Sequence, residues 1–473
     1  VDAVLLIPDR PGIVTPQAAR PVLARVGDAL SRHGRVIRGM QWVVVAIYLG
    51  LLVVPVLLPL PANTAHVWNN LTVAAQFAFW GLWWPFVLLS MVLVGRTWCG
   101  VFCPEGAMTE AASRFSLGHA VPRWVTWRGW PFAAFIATTV YGQMVSVYQY
   151  PAPVLLILGG STVAAVAVGL VYGRNKRVWC RYLCPVNGVF GLLSKLAPMS
   201  YQVDEVAWER SRGNPPPRPV NCAPLVPIRT MQGAASCHMC GRCSSYRDAI
   251  RLAPRLPGQA VVEAGGERAN PWETALILVG MMGVAVGAFH WSASPWFGAL
   301  NQMAATALVD AGVLWPLEHS APWWLLTNYP GQNDVLTLLD GAMLLGYIAA
   351  TAVVCSVVLA GLLAVSVRAG GAWSWPRFHH LAQALIPMAG CGVFLGLSAT
   401  TVTLLHSEGL SWPAGVAVLR ALLLTGAVVW CGLLGWRIAG RWTGGARRIV
   451  VGGGTAVAAA ASAFCWVLLF WIW

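Results

Sequence analysis

The chain has 473 residues, of which 57% are hydrophobic and only 10% charged, with a mean hydropathy of +0.64. A soluble domain carries about 25% charge, so a soluble globular protein is excluded, and the 26 Trp suit a chain whose rings collect where lipid meets water. In a soluble protein the net charge of +14 would point to nucleic acid, so the charges have to be located before their sum is read.

Residues 1–38 carry six Arg and read as a retained cytoplasmic tail, because the apolar run that follows is longer than a signal-peptide core and lacks a small-residue cleavage site. Runs long enough to cross a hydrocarbon core of about 30 Å follow at 39–60, 72–95, 130–149, 152–172, 272–294, 336–367, 379–405, 414–436 and 449–471. Gln143 and Gln149 make the third the weakest of these nine spans. With a cytoplasmic N-terminus and a periplasmic C-terminus, 30 of the 31 Lys and Arg fall inside, Arg420 being the exception. The outer loops then hold Asp310, Glu318, Asp334, Asp340 and Glu408. The basic balance is therefore the positive-inside signal of a bacterial inner-membrane protein bathed in lipid, and no nucleic-acid partner is expected.

The segment GRTWCGVFCPEGA from Gly95 to Ala107 recurs as KRVWCRYLCPVNG from Lys176 to Gly188, with Trp, Cys, Cys and Pro aligned at an offset of 81 residues. Each copy follows a pair of spans, and two spans return the chain to its starting face. Both motifs are thus expected on the cytoplasmic side, facing each other across a pseudo-two-fold axis along the membrane normal. The polar stretch 199–270 follows on the same face. It contains a PPPRP run from Pro215 to Pro219 that reads as a stiff linker, and after it carries Cys222, Cys237, Cys240 and Cys243. The expected fold is an all-α integral membrane protein of about nine helices. Its units are a tail (1–38), a duplicated two-span repeat (39–198), a cysteine-rich ferredoxin-like lobe (199–270) and a C-terminal membrane domain of about five spans (271–473).

A bacterial ferredoxin run reads C-x2-C-x2-C-x3-C-P and holds [4Fe-4S] clusters through thiolates. Cys237, Cys240 and Cys243 supply its first three positions, but Arg247 and Asp248 stand where the last Cys and Pro belong. Cys99-x3-Cys103-Pro104 and Cys180-x3-Cys184-Pro185 have the spacing of the missing half. With Cys222 the set numbers eight, as two cubane clusters require. Reducing cytosol argues against disulfides, and the Cys-Pro pairs and three-Cys run favour iron–sulfur over zinc, the nearest rival. Spacing does not decide which Cys serves which cluster. If Cys237, Cys240 and Cys243 share one, its fourth ligand comes from a repeat motif, and the other three repeat cysteines join Cys222.

Paired membrane C-x3-C-P motifs followed by a ferredoxin-like cysteine run resemble the membrane polyferredoxin superfamily that includes NapH, NosR and CcoG. The likeness covers about residues 38–260. CHMCGRC together with a multi-span C-terminal half is more similar to the polyferredoxin subunit of FtrABCD-type bacterial ferrous-iron uptake systems. The family pattern implies Cys99, Cys103, Cys180, Cys184, Cys237, Cys240 and Cys243 as cluster ligands, whereas Cys222 rests on the count of eight. It also implies a setting in which electrons from periplasmic Fe(II) oxidation pass inward, with a permease subunit, a periplasmic cupredoxin or iron-binding protein, and a cytoplasmic acceptor or quinone as partners. The alternatives are a NapH-like quinol dehydrogenase feeding a periplasmic reductase, and a permease with structural or sensing clusters. Sparse charges within the spans give the permease little support. No GxGxxG turn or Walker phosphate loop appears, so ATP-driven function has no basis in the sequence.

Clusters on the inner side cannot exchange electrons with an outer donor across about 30 Å of hydrocarbon without a carrier. His66, His290, His319 and His406 all fall near the outer face, and two of them could hold a b-type haem or another metal. Taken singly, each is more readily an interfacial polar residue. Met281, Met282, Met303 and Met343 read as packing, and Cys355, Cys391, Cys431 and Cys465 as small buried hydrophobes lying singly in apolar spans. Asp340 either faces a polar cavity or precedes the start of its span.

Overall fold

A computed structural model describes residues 21–62, 64–211, 219–231, 233–263, 270–410 and 412–473. The first 20 residues of the tail and most of the PPPRP linker lie outside the described residues. Among those described, eight helices are long and apolar enough to cross a membrane. They are Gly34–Leu57, Leu71–Val94, Pro151–Val171, Pro271–His290, Leu338–Gly370, Trp375–Ser407, Pro413–Ala439 and Gly445–Ile472. The body is all-α, and its small sheets lie outside the spans.

The run expected as a span over 130–149 is helical only over Trp130–Met144, 15 residues. Its helix ends because Val145 leaves helical geometry and Ser146 takes φ 51°, while Gln143 accepts a hydrogen bond from Trp291 Nε1. At about 1.5 Å per residue it covers roughly 22 Å, less than a hydrocarbon core. It still joins the two faces. Trp130 meets Trp127 edge to face, and Trp127 meets Trp272 at the start of Pro271–His290 in the same way. At the other end the Met144 carbonyl accepts from Thr327 in the outer loop. Packing against the buried Pro271–His290 helix lets so short a segment serve, since Leu276, Ile277, Met281 and Met282 of that helix are all buried core.

The N-terminal region is not a separate tail from residue 21 onward. Helix Val22–Arg32 runs into Gly34–Leu57 through a break at His33, and it packs on the cysteine-rich lobe. Asp28 accepts hydrogen bonds from Ser244 (2.8 Å) and Ser245 (2.6 Å). A Cβ at Gly241, φ +79°, would lie 2.5 Å from Leu30 Cβ, so only glycine lets the helix come this close. The lobe is built on an antiparallel pair, β1 (Met199–Val203) and β2 (Ile250–Pro254), over a small core of Tyr201, Cys237, Met239, Ile250 and Leu252.

On the opposite face, helix Pro295–Asp310 has no buried residue and precedes the acidic, Trp-rich loop. Asp340 caps the helix that follows: its carboxylate accepts from the backbone and hydroxyl of Thr337 and from Asn301 Nδ2 (2.8 Å). The span therefore begins at Asp340's own turn, which removes the need for a polar cavity around that carboxylate.

Candidate iron–sulfur centres

Each repeat presents its cysteines at a break between two helical pieces. In the first copy, the span ends at Gly95 (φ 64°), a short turn Thr97–Val101 carries Cys99, and Cys103 breaks the helix so that Pro104 opens Pro104–Ala112. In the second, a π-helical turn Trp179–Leu183 carries Cys180, Cys184 makes the break, and Asn187–Ser194 follows. Proline after the break costs nothing, because its missing N–H would have had no partner in the first helical turn. Cys103 Sγ accepts the Gly106 N–H at 3.4 Å, at a helix N-terminus whose dipole favours negative charge.

The four repeat cysteines meet. Cys99, Cys103, Cys180 and Cys184 line one cavity of about 240 Å³ together with Glu105 and His238. Burial first, and then the negative charge of neighbouring cysteines and Glu105, pushes the Cys103 and Cys184 thiols well up; burial lifts Cys180 to about 12. Glu105 is buried too, which raises its carboxyl, and it accepts from Trp179 Nε1 at 3.2 Å. Ligation by a cation would reverse the thiol shift, since a coordinating thiol gives up its proton.

The other four cysteines form a second set in the lobe. Burial raises the thiols of Cys222, Cys237 and Cys243, the last to about 12, and each also feels the charge of Cys240. Met239 N–H donates to Cys237 Sγ at 3.4 Å, and left-handed backbone at Met239, Gly241 and Ser245 winds the loop that carries the cysteines. Spacing left open which cysteine serves which cluster; the structure sets the four repeat cysteines around one cavity and keeps the other four in the lobe segment. Cys222 lies 15 residues before Cys237, but Lys176 Nζ binds the Cys222 carbonyl (3.3 Å) and Arg177 N–H binds that of Ala223 (2.8 Å), which draws the segment in.

A four-iron cluster held by thiolates tolerates N–H···S donation of the kind seen at Cys103 and Cys237.

Arg177, 2% exposed, ties the two sets together. Its Nη1 donates to the Cys99 carbonyl at 2.8 Å and its Nε to Glu110 at 2.7 Å, while Arg242 from the lobe reaches the other Glu110 oxygen at 2.7 Å. Burial opposes the charge on Glu110, but Arg177 and Arg242 outweigh it and hold the carboxyl below its ordinary range. Gln41 Nε2 adds a bond to the Gly100 carbonyl at 3.0 Å. None of these residues stood out in the sequence, where one Arg before a Trp-Cys pair looks like any basic interfacial residue. His238 was visible inside CHMCGRC, yet nothing local marked it as different from a loop residue. Burial, and then Arg96, Arg177 and Arg181, holds its imidazole well below the ordinary pKa.

The outer histidines are placed apart as a set of four. His66 is exposed and pairs with Glu408 (3.3 Å), two residues beyond the exposed His406 at the end of its helix. His319 turns back on the Trp315 carbonyl, and His290 is buried against the edges of Trp466 and Trp473. Cys355 and Cys465 lie on the helices Leu338–Gly370 and Gly445–Ile472, which pack together, and Cys465 Sγ lies 3.8 Å from the Ala461 carbonyl in its own helix.

An all-helical membrane body bearing cysteine quartets on one face belongs to the class of membrane iron–sulfur proteins. A family model described as a 4Fe-4S binding domain matches residues 76–121 and 156–200, the two stretches that hold the repeat cysteines. The chain is 25% identical over 232 residues to the putative electron transport protein YccM of Escherichia coli (strain K12), covering 43% of this chain and 62% of YccM. It is 33% identical over 120 residues to the methylamine utilization ferredoxin-type protein MauN of Methylorubrum extorquens, covering 23% of this chain and 42% of MauN. The chain thus spans less than two thirds of either relative's length. No solved structure matches it. These likenesses support a [4Fe-4S] membrane electron-transfer protein.

Proposed function

We propose that the chain is a membrane electron carrier with two [4Fe-4S] clusters, one on Cys99, Cys103, Cys180 and Cys184 and one on Cys222, Cys237, Cys240 and Cys243. The observation that supports this is that Cys99, Cys103, Cys180 and Cys184 line one cavity, while Cys237 and Cys243 pack in the small core of the lobe. The clusters supply one-electron chemistry; the protein supplies thiolates, N–H donors and the Arg177–Glu110–Arg242 clasp. The positive-inside count supports a bacterial inner membrane with that face cytoplasmic. Anaerobic iron and sulfide analysis tests the reading: about eight of each per chain are expected, and stoichiometric zinc with little iron overturns it.

Two settings follow for this carrier. In ferrous-iron uptake, favoured by the CHMCGRC run and the C-terminal half, the chain accepts electrons from periplasmic Fe(II) oxidation and works beside a permease and a cupredoxin or iron-binding protein. In quinol oxidation the donor arrives through the bilayer, and a specific feature favours this second setting. The cavity holding the repeat cysteines is walled by Trp80, Trp83, Trp84 and Trp98. An apolar groove lined by Ile47, Leu51, Leu82, Phe86, Trp83 and Trp98 meets that wall at Trp83 and Trp98. In this setting a lipid-soluble ring carrier docks in the groove without an outer haem, with the Trp83–Trp98 pair between it and the thiol cavity. Anaerobic mixing of the protein in liposomes with a quinol separates the settings. Rapid cluster reduction that Leu82→Trp slows supports quinol oxidation. No reduction by quinol, with reduction by external Fe(II) in the presence of periplasmic partners, supports iron uptake.

A further inference from the structure

His238 belongs to the lobe by its backbone and to the repeats by its ring. It sits between Cys237 and Cys240, ligands assigned to the lobe cluster, while its side chain lines the cavity of Cys99, Cys103, Cys180 and Cys184. The residue is 2% exposed, and neither Nδ1 nor Nε2 has a hydrogen-bond partner. Buried imidazoles are normally satisfied through at least one ring nitrogen, because a neutral ring carries one donor and one acceptor that lose water on burial. The His238 carbonyl packs so closely on Gly100, the residue after Cys99, that a Cβ there would lie 2.1 Å away. The loop is therefore held against the first repeat motif, and the unpaired His238 ring belongs to the lining of the cavity that the repeat thiols share.

We propose that His238 donates a ring N–H to the sulfur of the cluster held by the four repeat cysteines, and so acts as a positioning residue that couples the two centres. The proposal rests on the two-cluster reading. A donor at cluster sulfur stabilises the extra negative charge of the reduced form and raises the midpoint potential. His238 directly follows Cys237 in the chain, so the same residue adjoins both sites. An electron moving between them requires no bond to be made or broken.

The test uses the purified full-length protein under anaerobic conditions, with Cys184→Ser to assign the repeat-held signal in paramagnetic resonance. In the unaltered protein, proton ENDOR of that signal is expected to show a coupling that disappears in D2O and a weak histidine nitrogen coupling. His238→Phe is expected to keep eight irons, lose the histidine nitrogen coupling and shift the repeat-held midpoint downward while leaving the lobe midpoint nearly in place; the exchangeable coupling from the Gly106 N–H on Cys103 remains. His238→Gln, which keeps a donor, should shift it less. An unaltered midpoint in His238→Phe overturns the proposal, as does a strong nitrogen coupling in the unaltered protein, which would make His238 a ligand. If His238→Phe sheds iron, the histidine nitrogen coupling in the unaltered protein decides, and its absence overturns the proposal. Fewer than eight irons in the unaltered protein would instead refute the two-cluster reading.

Discussion

Gly100→Ala tests whether the lobe docks on the first repeat motif as tightly as the structure shows. The added methyl would sit 2.1 Å from the His238 carbonyl oxygen and 2.9 Å from both N and Cα of Cys240. All three are backbone atoms, so no side-chain rotation relieves the contact, and the loop of Cys237, Cys240 and Cys243 must retreat by roughly 1 Å. Overpacking of this kind costs about 1–3 kcal/mol, and here the strain falls on the segment that carries three lobe thiols. The expected result is loss of the lobe cluster, with iron falling from about eight toward about four per chain and the repeat-held signal retained. Gly346→Ala, at a helical position with open space around the new methyl, is the control. The assay is anaerobic iron analysis with paramagnetic resonance on both variants. Full iron and an unchanged thermal midpoint in Gly100→Ala would refute the docked arrangement.

Cys222→Ser should remove only the lobe cluster and Cys184→Ser only the repeat-held one, whereas Cys391→Ser should keep both; metal counts on the three variants check the partition. Glu110→Gln leaves Arg177 buried without its counter-charge and should destabilise the junction by about 3 kcal/mol, seen as a lower thermal midpoint in detergent. Because the folded-state pKa of Glu110 is depressed, its stabilisation is complete above the usual carboxylate value of about 4.3 and is lost as pH falls through the folded value. Thermal midpoints of the unaltered protein and Glu110→Gln should therefore converge in acid and separate toward neutrality. Labelling of a cysteine introduced at Gly331, beside the outer β-pair, should occur from the periplasm, and one at Glu209 in the lobe from the cytoplasm; the reverse pattern would invert the sidedness argument.

Much of this protein is decided by local sequence properties. Apolar run length places most of the spans, because crossing a hydrocarbon core is a matter of composition over about 20 residues. The 81-residue repeat puts Cys99, Cys103, Cys180 and Cys184 on one face by parity alone, and the structure gathers those four around one cavity. The partition of the thiols needed the tertiary structure. Cys222 is separated from Cys237 by a stretch with no periodic signal, and it reaches the lobe set because Lys176 and Arg177 hold its segment from another part of the chain. The same reason hides Arg177, Glu110 and Arg242, whose roles exist only where three distant segments meet. The shortened third crossing segment also escapes a hydropathy reading, since a helix of 15 residues suffices only when other helices shield it. His238 marks the boundary most clearly. Its position between two cysteines is plain in the sequence, but the cavity it lines is otherwise formed by residues more than 40 positions away, and only the folded chain brings them together.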